Sequence, residues 1–171
     1  ADNSVADAPF KFNFNKAWDG NEVGFAGVDG RITDNAGAGI TKTDDGNIVV
    51  TNAGWYLVVV RTTVVGRDYQ YSIAFEQPTV YLFGPCNGGN WGPDDAWKFS
   101  VPADGNGEFV SPAFAADGEV RACVIIDPDN WWHSEFIVFG TELAYRGIGG
   151  DQERVNASAG QKMYINFTNG T

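Results

Sequence analysis

The stretch Val120-Arg121-Ala122-Cys123-Val124-Ile125-Ile126 decides how this chain folds. It is short, rich in β-branched residues, and bounded by Asp117-Gly118 on one side and Asp127-Pro128 on the other. An amphipathic helix needs a longer run with apolar residues every three or four positions, whereas a strand needs only a brief apolar run between turn formers. The same grammar holds outward in both directions. Strands are expected over 10–14, 48–50, 55–60, 69–75, 80–83, 108–110, 120–126, 135–139 and 163–167, with Phe10, Phe12 and Phe14 on one face of the first. The pairs Asp29-Gly30, Asp45-Gly46, Asp104-Gly105 and Asp117-Gly118 carry the residues that hairpin turns require. Helix signals are nearly absent, so the chain reads as all-β, and many short strands at this spacing indicate a β-sandwich.

The chain also repeats itself. Phe10-Lys11-Phe12, Trp18, Gly24-Phe25, Ile48 and Ala53-Gly54-Trp55-Tyr56 run parallel to Val120-Arg121-Ala122, Trp131, Glu135-Phe136, Val155 and Ala159-Gly160-Gln161-Lys162. Two copies of one unit is the natural reading. The second copy is preceded by residues 79–119 and the first by nine residues only, which makes the first unit, residues 1–77, shortened at its N-terminus. The boundary falls near Gln77-Pro78, because Pro cannot donate to a strand ladder, and the second unit is residues 78–171. The Gly- and Asp-rich segment 29–45 reads as an exposed loop of the first unit.

Charge narrows the partners. Of 171 residues, 22 are acidic and 11 basic, a net charge of −11, which is the wrong sign for a phosphate backbone or an anionic membrane surface. No apolar run is long enough to cross a bilayer, and residues 1–8 are too polar to be the apolar part of a signal peptide. Cys86 and Cys123 have no further Cys or His at ligand spacing, which argues against zinc and leaves either a disulfide or two buried thiols. His133 is the only histidine, and neither a Gly-x-Ser-x-Gly elbow nor a phosphate-binding glycine loop occurs, so triad hydrolysis and nucleotide chemistry lack their parts. A glycosidase needs only two carboxylates, but nothing singles out a pair. Asp94-Asp95, Asp127 with Asp129, and Asp44-Asp45 lack the spacing of an EF-hand calcium loop and read as turn residues. The Asn-x-Ser/Thr triplets at Asn156, Asn166 and Asn169 read as chance in an Asn-rich chain. No catalytic residue, metal or cofactor is expected.

Tryptophan placement carries the functional signal. Trp91 lies in Asn87-Gly88-Gly89-Asn90-Trp91-Gly92-Pro93 and Trp131-Trp132 in Asp127-Pro128-Asp129-Asn130-Trp131-Trp132-His133, both polar turn contexts. An exposed indole face suits a sugar ring, whose axial C–H groups form an apolar surface while its equatorial hydroxyls seek amides and charged side chains. Lys98, Arg121, Asn130, Glu135 and Arg146 are near enough in sequence to supply these. The competing reading is that the Trp residues are core, which fits Trp55 at the head of a strand.

These residues resemble a known family. Tyr81-Leu82-Phe83-Gly84, Gly89-Asn90-Trp91, a basic residue on a strand at Arg121 and Trp131 in the next loop resemble the glycogen- and starch-binding β-sandwich of the AMP-activated protein kinase regulatory subunit. A closer resemblance is to the SusE and SusF starch-binding lipoproteins of the Bacteroides outer membrane, carried by Trp132-His133-Ser134-Glu135-Phe136, Tyr145-Arg146-Gly147, Gly149-Gly150-Asp151-Gln152-Glu153-Arg154-Val155 and Ala159-Gly160-Gln161-Lys162. The resemblance implies immunoglobulin-like antiparallel β-sandwich units in tandem that bind starch-like α-glucan without turnover, at the cell surface, with other glycan-uptake proteins as partners and a lipid anchor outside this chain. It implies a platform of Trp91 and Trp131 with Arg121 bonding hydroxyls; Asn130 and Trp132 join them as neighbours, and adjacent Trp131 and Trp132 would face opposite ways on extended backbone. In the first copy Lys11 and Trp18 match, without a counterpart of Trp91. Stacking on an open platform implies weak binding, roughly −4 to −6 kcal/mol per site. The alternatives are a structural or protein-interaction domain of a glycan-uptake complex, or a module for a different glycan.

Overall fold

The computed structural model describes residues 2–3 and 8–171. The chain is all-β and divides into two compact units, Ala1–Gln77 and Pro78–Thr171. Regular helix among the described residues is confined to short 3-10 turns.

The first unit contains β1 (Asp2–Asn3), β2 (Ala8–Phe10), β3 (Ile32–Asp34), β4 (Ile40–Lys42), β5 (Ile48–Val50), β6 (Gly54–Trp55), β7 (Leu57–Val65) and β8 (Asp68–Glu76). One sheet runs β2-β5-β4, another β3-β8-β7, and β1 pairs with β6. Every pairing is antiparallel except β3 with β8, which is parallel. The two larger sheets bury one core between them: Phe10 of β2 meets Phe75 of β8 edge-on at 6.5 Å, and Ile48, Val50, Tyr56 and Ile73 close around it. Each such buried side chain contributes roughly 1.5–3 kcal/mol by leaving water.

Segment 29–45 is not an exposed loop. It supplies β3 and β4, and Ala38 between them is fully buried. The Asp34 carboxylate accepts from the Ala38 and Gly39 N–H groups at 2.8 Å each, and Gly37 and Gly39 take left-handed backbone, so a polar, glycine-rich stretch turns tightly inward. The expected strand over 10–14 ends at Phe10; Phe12 makes one bridge to Val23 and Phe14 is exposed. Their rings nonetheless share a side, since Phe12 and Phe14 both pack on Tyr71 of β8. The strand over 55–60 is broken at Tyr56, and β7 then continues to a two-residue turn at Gly66-Arg67.

The second unit contains β9 (Tyr81–Phe83), β10 (Phe109–Val110), β11 (Gly118–Glu119), β12 (Arg121–Cys123), β13 (Glu135–Phe139), β14 (Glu142–Tyr145), β15 (Asn156–Ala157) and β16 (Tyr164–Ile165). A four-stranded antiparallel sheet runs β14-β13-β12-β9, with the pairs β10-β16 and β11-β15 beside it. Phe167 joins the layers, its ring 5.1 Å from Phe109 of β10 and 5.0 Å from Phe136 of β13. The deciding stretch is thus a central strand, but regular pairing spans only Arg121–Cys123, with Val124 adding one bond to Ser134. The repeat has a common register: Phe10 lies opposite Ile48, and Val120 donates to the Val155 carbonyl. Cys86 and Cys123 are free and buried, so the disulfide alternative falls away.

Candidate functional site

Trp91 is placed by the turn that leaves β9. Gly84 adopts φ 83° and ψ −143°, a conformation open in practice only to glycine. Buried Asn87 then holds the loop from inside, donating to the Leu82 carbonyl at 2.7 Å and accepting from the Asn90 N–H at 2.8 Å. Asn90 in turn accepts from Gly92 N–H at 3.0 Å and donates to Asp94 at 3.2 Å. These bonds brace the loop, and the Trp91 ring lies over Gly84, where a Cβ would come within 2.9 Å of it. Trp91 is 46% exposed.

Trp131 and Trp132 sit on a 3-10 segment, Pro128–Ser134, that is kinked at Asn130 (φ −131°, ψ 45°), rather than on extended backbone. Asp127 caps the turn before the kink, accepting from Asp129 N–H at 3.1 Å and from the Asn130 amide at 2.9 Å. Those bonds, the Asn130 amide first, hold the Asp127 carboxyl below the ordinary aspartate range. The turn directs Trp131 onto buried Phe83, edge-on at 4.9 Å, and beside Trp91 at 5.8 Å with 34° between the planes. Trp132 stands at 86° to Trp131 and packs against His133. Trp91 and Trp131 therefore share one surface, and Trp132 is turned away from their plane.

Arg121, at the start of β12 opposite Phe83, lies with its guanidinium 5.2 Å from the Trp91 ring centre. Its side chain is only 12% exposed. It donates to Glu119 at 3.0 Å and lies 3.6 Å from Glu135, while its Nε is buried without a hydrogen-bond partner. Glu135 is completely buried. Arg154 bonds both its oxygens at 2.6 Å, and Arg146 reaches one at 2.9 Å. The Glu135 bond, followed by Asp151, holds Arg154 firmly protonated. Asp151 lies 2.7 Å from Arg154 and 3.5 Å from Arg146. Three arginines and three carboxylates thus balance, which offsets the several kcal/mol that a lone buried charge costs.

This arrangement corrects part of the sequence reading. Glu135 and Arg146 do not face solvent as hydroxyl-bonding groups; burial and mutual pairing commit them to the interior. Lys98 pairs with Asp95 at 2.8 Å and lies over Tyr81, at the end of β9 away from Gly84 and Trp91. Asn130 is half-buried and spends its amide on Asp127. Trp91, Trp131 and Arg121 are brought together. Gly84, Phe83, Arg154 and Asp151 stand in the motifs that carry the resemblance, but their roles here, packing or pairing over distances that sequence spacing does not reveal, have no signal in the sequence.

In the first unit Trp18 is 83% exposed, and with Lys11, Phe12, Asn13, Lys16 and Glu22 it borders a hollow of about 200 Å³. Asp19 accepts from Asn13 and Asn15 at 2.9 and 3.0 Å, which fixes the loop. A larger hollow of about 520 Å³ in the second unit has mainly apolar walls, among them Phe114, Val138, Leu143 and Met163, and none of the Trp residues lines it. Among the described residues no cluster of His, Cys, Asp or Glu could hold a metal ion, and no helix is long and apolar enough to cross a membrane.

The family model described as SusF/SusE starch-specific CBMs matches residues 3–72 and 79–171. Outer membrane protein SusF of Bacteroides thetaiotaomicron is 43% identical over 172 residues, 98% of this chain and 34% of that protein. The crystal structure of SusF from Bacteroides thetaiotaomicron superposes with a TM-score of 0.82 at 42% identity, covering 98% of this chain and 37% of that one. The chain spans about a third of the length of these relatives.

Proposed function

The chain belongs to the SusF/SusE family of starch-specific carbohydrate-binding modules, and from that premise we propose that its second unit binds starch-like α-glucan non-catalytically on the Trp91–Trp131 surface. The observation that carries this reading is the pairing of the two indoles at 5.8 Å and 34°, with Trp91 46% exposed beside the Arg121 guanidinium. A tilted pair offers two facets to successive sugar rings, each burying its C–H face against an indole and leaving its hydroxyls at the rim. Arg121 has N–H groups beyond those given to Glu119 and Glu135, and these are its means of meeting a hydroxyl. Trp132 and Asn130 flank the surface. Lys11 and Trp18 form a second, weaker contact in the first unit. Weak sites on one chain gain from effective concentration along a polymer. The setting is the bacterial outer-membrane surface, where other glycan-uptake proteins are the partners.

Affinity electrophoresis in gels containing amylopectin, pullulan, xylan or galactomannan tests the reading, with Trp91→Ala and Trp131→Ala beside the parent chain. Retardation by the α-glucans alone, lost in either variant, supports it. A folded parent chain that no polysaccharide retards sinks it and turns the indole pair into a protein-binding surface.

A further inference from the structure

Of the charge cluster that Arg121 joins to the indole pair, Glu135, Arg146 and Arg154 take no part in the contacts proposed above. We infer that Glu135 is a positioning residue: through Arg121 it sets where the Trp91 ring stands relative to Trp131, without itself touching sugar. The inference rests on the α-glucan reading for its consequence in binding, but its geometric content stands apart from any ligand.

Three observations carry it. Arg121 is held from two sides, by Glu119 at 3.0 Å on the outside and by Glu135 at 3.6 Å within, so its guanidinium has a defined place beside the Trp91 ring. Trp91 is supported from below by Gly84 and Arg121 together, the Arg121 Cδ standing 3.4 Å from the point where a Gly84 Cβ would be. Glu135 is itself over-determined: it is fully buried, both its oxygens are taken by Arg154, and Arg146 adds a further bond. Its backbone carbonyl also accepts from the Arg146 N–H at 2.9 Å, so the carboxylate cannot drift with a mobile side chain.

Charge explains why a carboxylate is required. Without Glu135, three guanidinium groups crowd one interior site with Asp151 and Glu119 as the remaining anions, both of them more exposed. Repulsion then drives the least enclosed arginine outward, and that is Arg121, at 12% exposed against 9% for Arg146 and 2% for Arg154. Arg121 moves into the space that the Trp91 ring occupies.

The test uses Glu135→Gln, which keeps the shape and loses the charge, with Arg121→Met, which keeps the stem and loses the guanidinium. Circular dichroism reads the exciton coupling of neighbouring indoles in each variant, and Trp91→Phe defines the part of the signal that belongs to Trp91. Both variants are expected to lose that part while the far-ultraviolet strand signal persists. If Glu135→Gln fails to fold, Arg121→Met decides alone. A folded variant that retains the full Trp91 signal overturns the inference, whatever its affinity. Retardation on amylopectin is then expected to fall about ten-fold for Glu135→Gln and for Arg121→Met. Arg121→Lys separates positioning from direct hydroxyl bonding: restored retardation with the coupling still lost would overturn the positioning role. A parent chain that ignores all α-glucans removes the binding consequence and leaves the coupling result to stand or fall by itself.

Discussion

Trp18 and Trp131 occupy matching places in the two copies of the repeat, each in a loop that returns to the sheet, yet they live in different surroundings. Both loops fix their own backbone by side-chain amides on a carboxylate, Asn13 and Asn15 on Asp19 in one, Asn130 on Asp127 in the other. Only the second has rings against the tryptophan: Phe83 behind it and Trp91 beside it. Trp18 stands 83% exposed, and no aromatic ring packs against it among the described residues. Ordering a loop is therefore not the same as packing its tryptophan against other rings. A free side chain must be immobilised when a ligand arrives, at about 0.5–1.5 kcal/mol, whereas a ring already held has lost that freedom in folding.

The sharpest way to break this contrast is Gly84→Ala. The added methyl meets the Trp91 ring at 2.9 Å on a backbone at φ 83°. We expect it to abolish retention by amylopectin and to cost about 1–3 kcal/mol in thermal unfolding of the second unit. Next comes the matched pair Trp131→Ala and Trp18→Ala. Removing half-buried Trp131 from Phe83 should cost about 2 kcal/mol of stability, below the full core value, as read by urea unfolding. Removing exposed Trp18 should stay within about 0.5 kcal/mol. Equal losses would erase the distinction between the loops.

Acid separates the loops by a different route. Hydrogen bonds hold the Asp127 carboxyl below its ordinary value, so its support of the Trp131 turn is complete at neutral pH. That support is lost only as pH falls through the depressed value, below the usual aspartate range. Asp19 is held down as well, by the Asn15 side chain first and then Asn13. An acid titration of tryptophan fluorescence should show the Trp131 transition removed in Asp127→Asn and the Trp18 transition removed in Asp19→Asn, each without effect on the other. The smallest expected effect is that of Trp132→Phe, since Trp132 lies at 86° to Trp131 and outside the shared surface. Its retention on amylopectin should change by less than about two-fold, and a larger loss would move the platform from Trp91–Trp131 to Trp131–Trp132.

The architecture was legible where apolar runs were bounded by turn residues. β5, β8 and β13 lie where their Val, Ile, Tyr and Phe runs place them. It was hidden where pairing depends on partners far along the chain: β3 and β4 look like loop, because their polar residues face outward and only Ile32 and Ile40 point toward the core cluster. At the site, the three residues that meet at the surface could be read from Trp in turns and Arg on a strand. Glu135 and Arg146 were misread because a charged residue near an exposed loop is usually solvated, and only coordinates reveal that three arginines close over one carboxylate. The 3-10 turn under Trp131 and Trp132, which follows the kink at Asn130, likewise replaces the opposite facing that extended backbone would give.

Both thiols of the chain lie in the second unit, and the first has none. Burial raises each thiol above its ordinary value, Asp117 adding to the effect at Cys86 and Glu135 at Cys123, so neither offers a thiolate while the fold is closed. An alkylating reagent added to the native chain thus acts as a clock that runs for one unit only. Cys86, in the turn that leads to the Trp91 loop, times the opening of that loop, and Cys123, in the central strand β12, times the opening of the whole second unit. The molecule carries its own two-depth gauge of local against global unfolding, with no label to introduce.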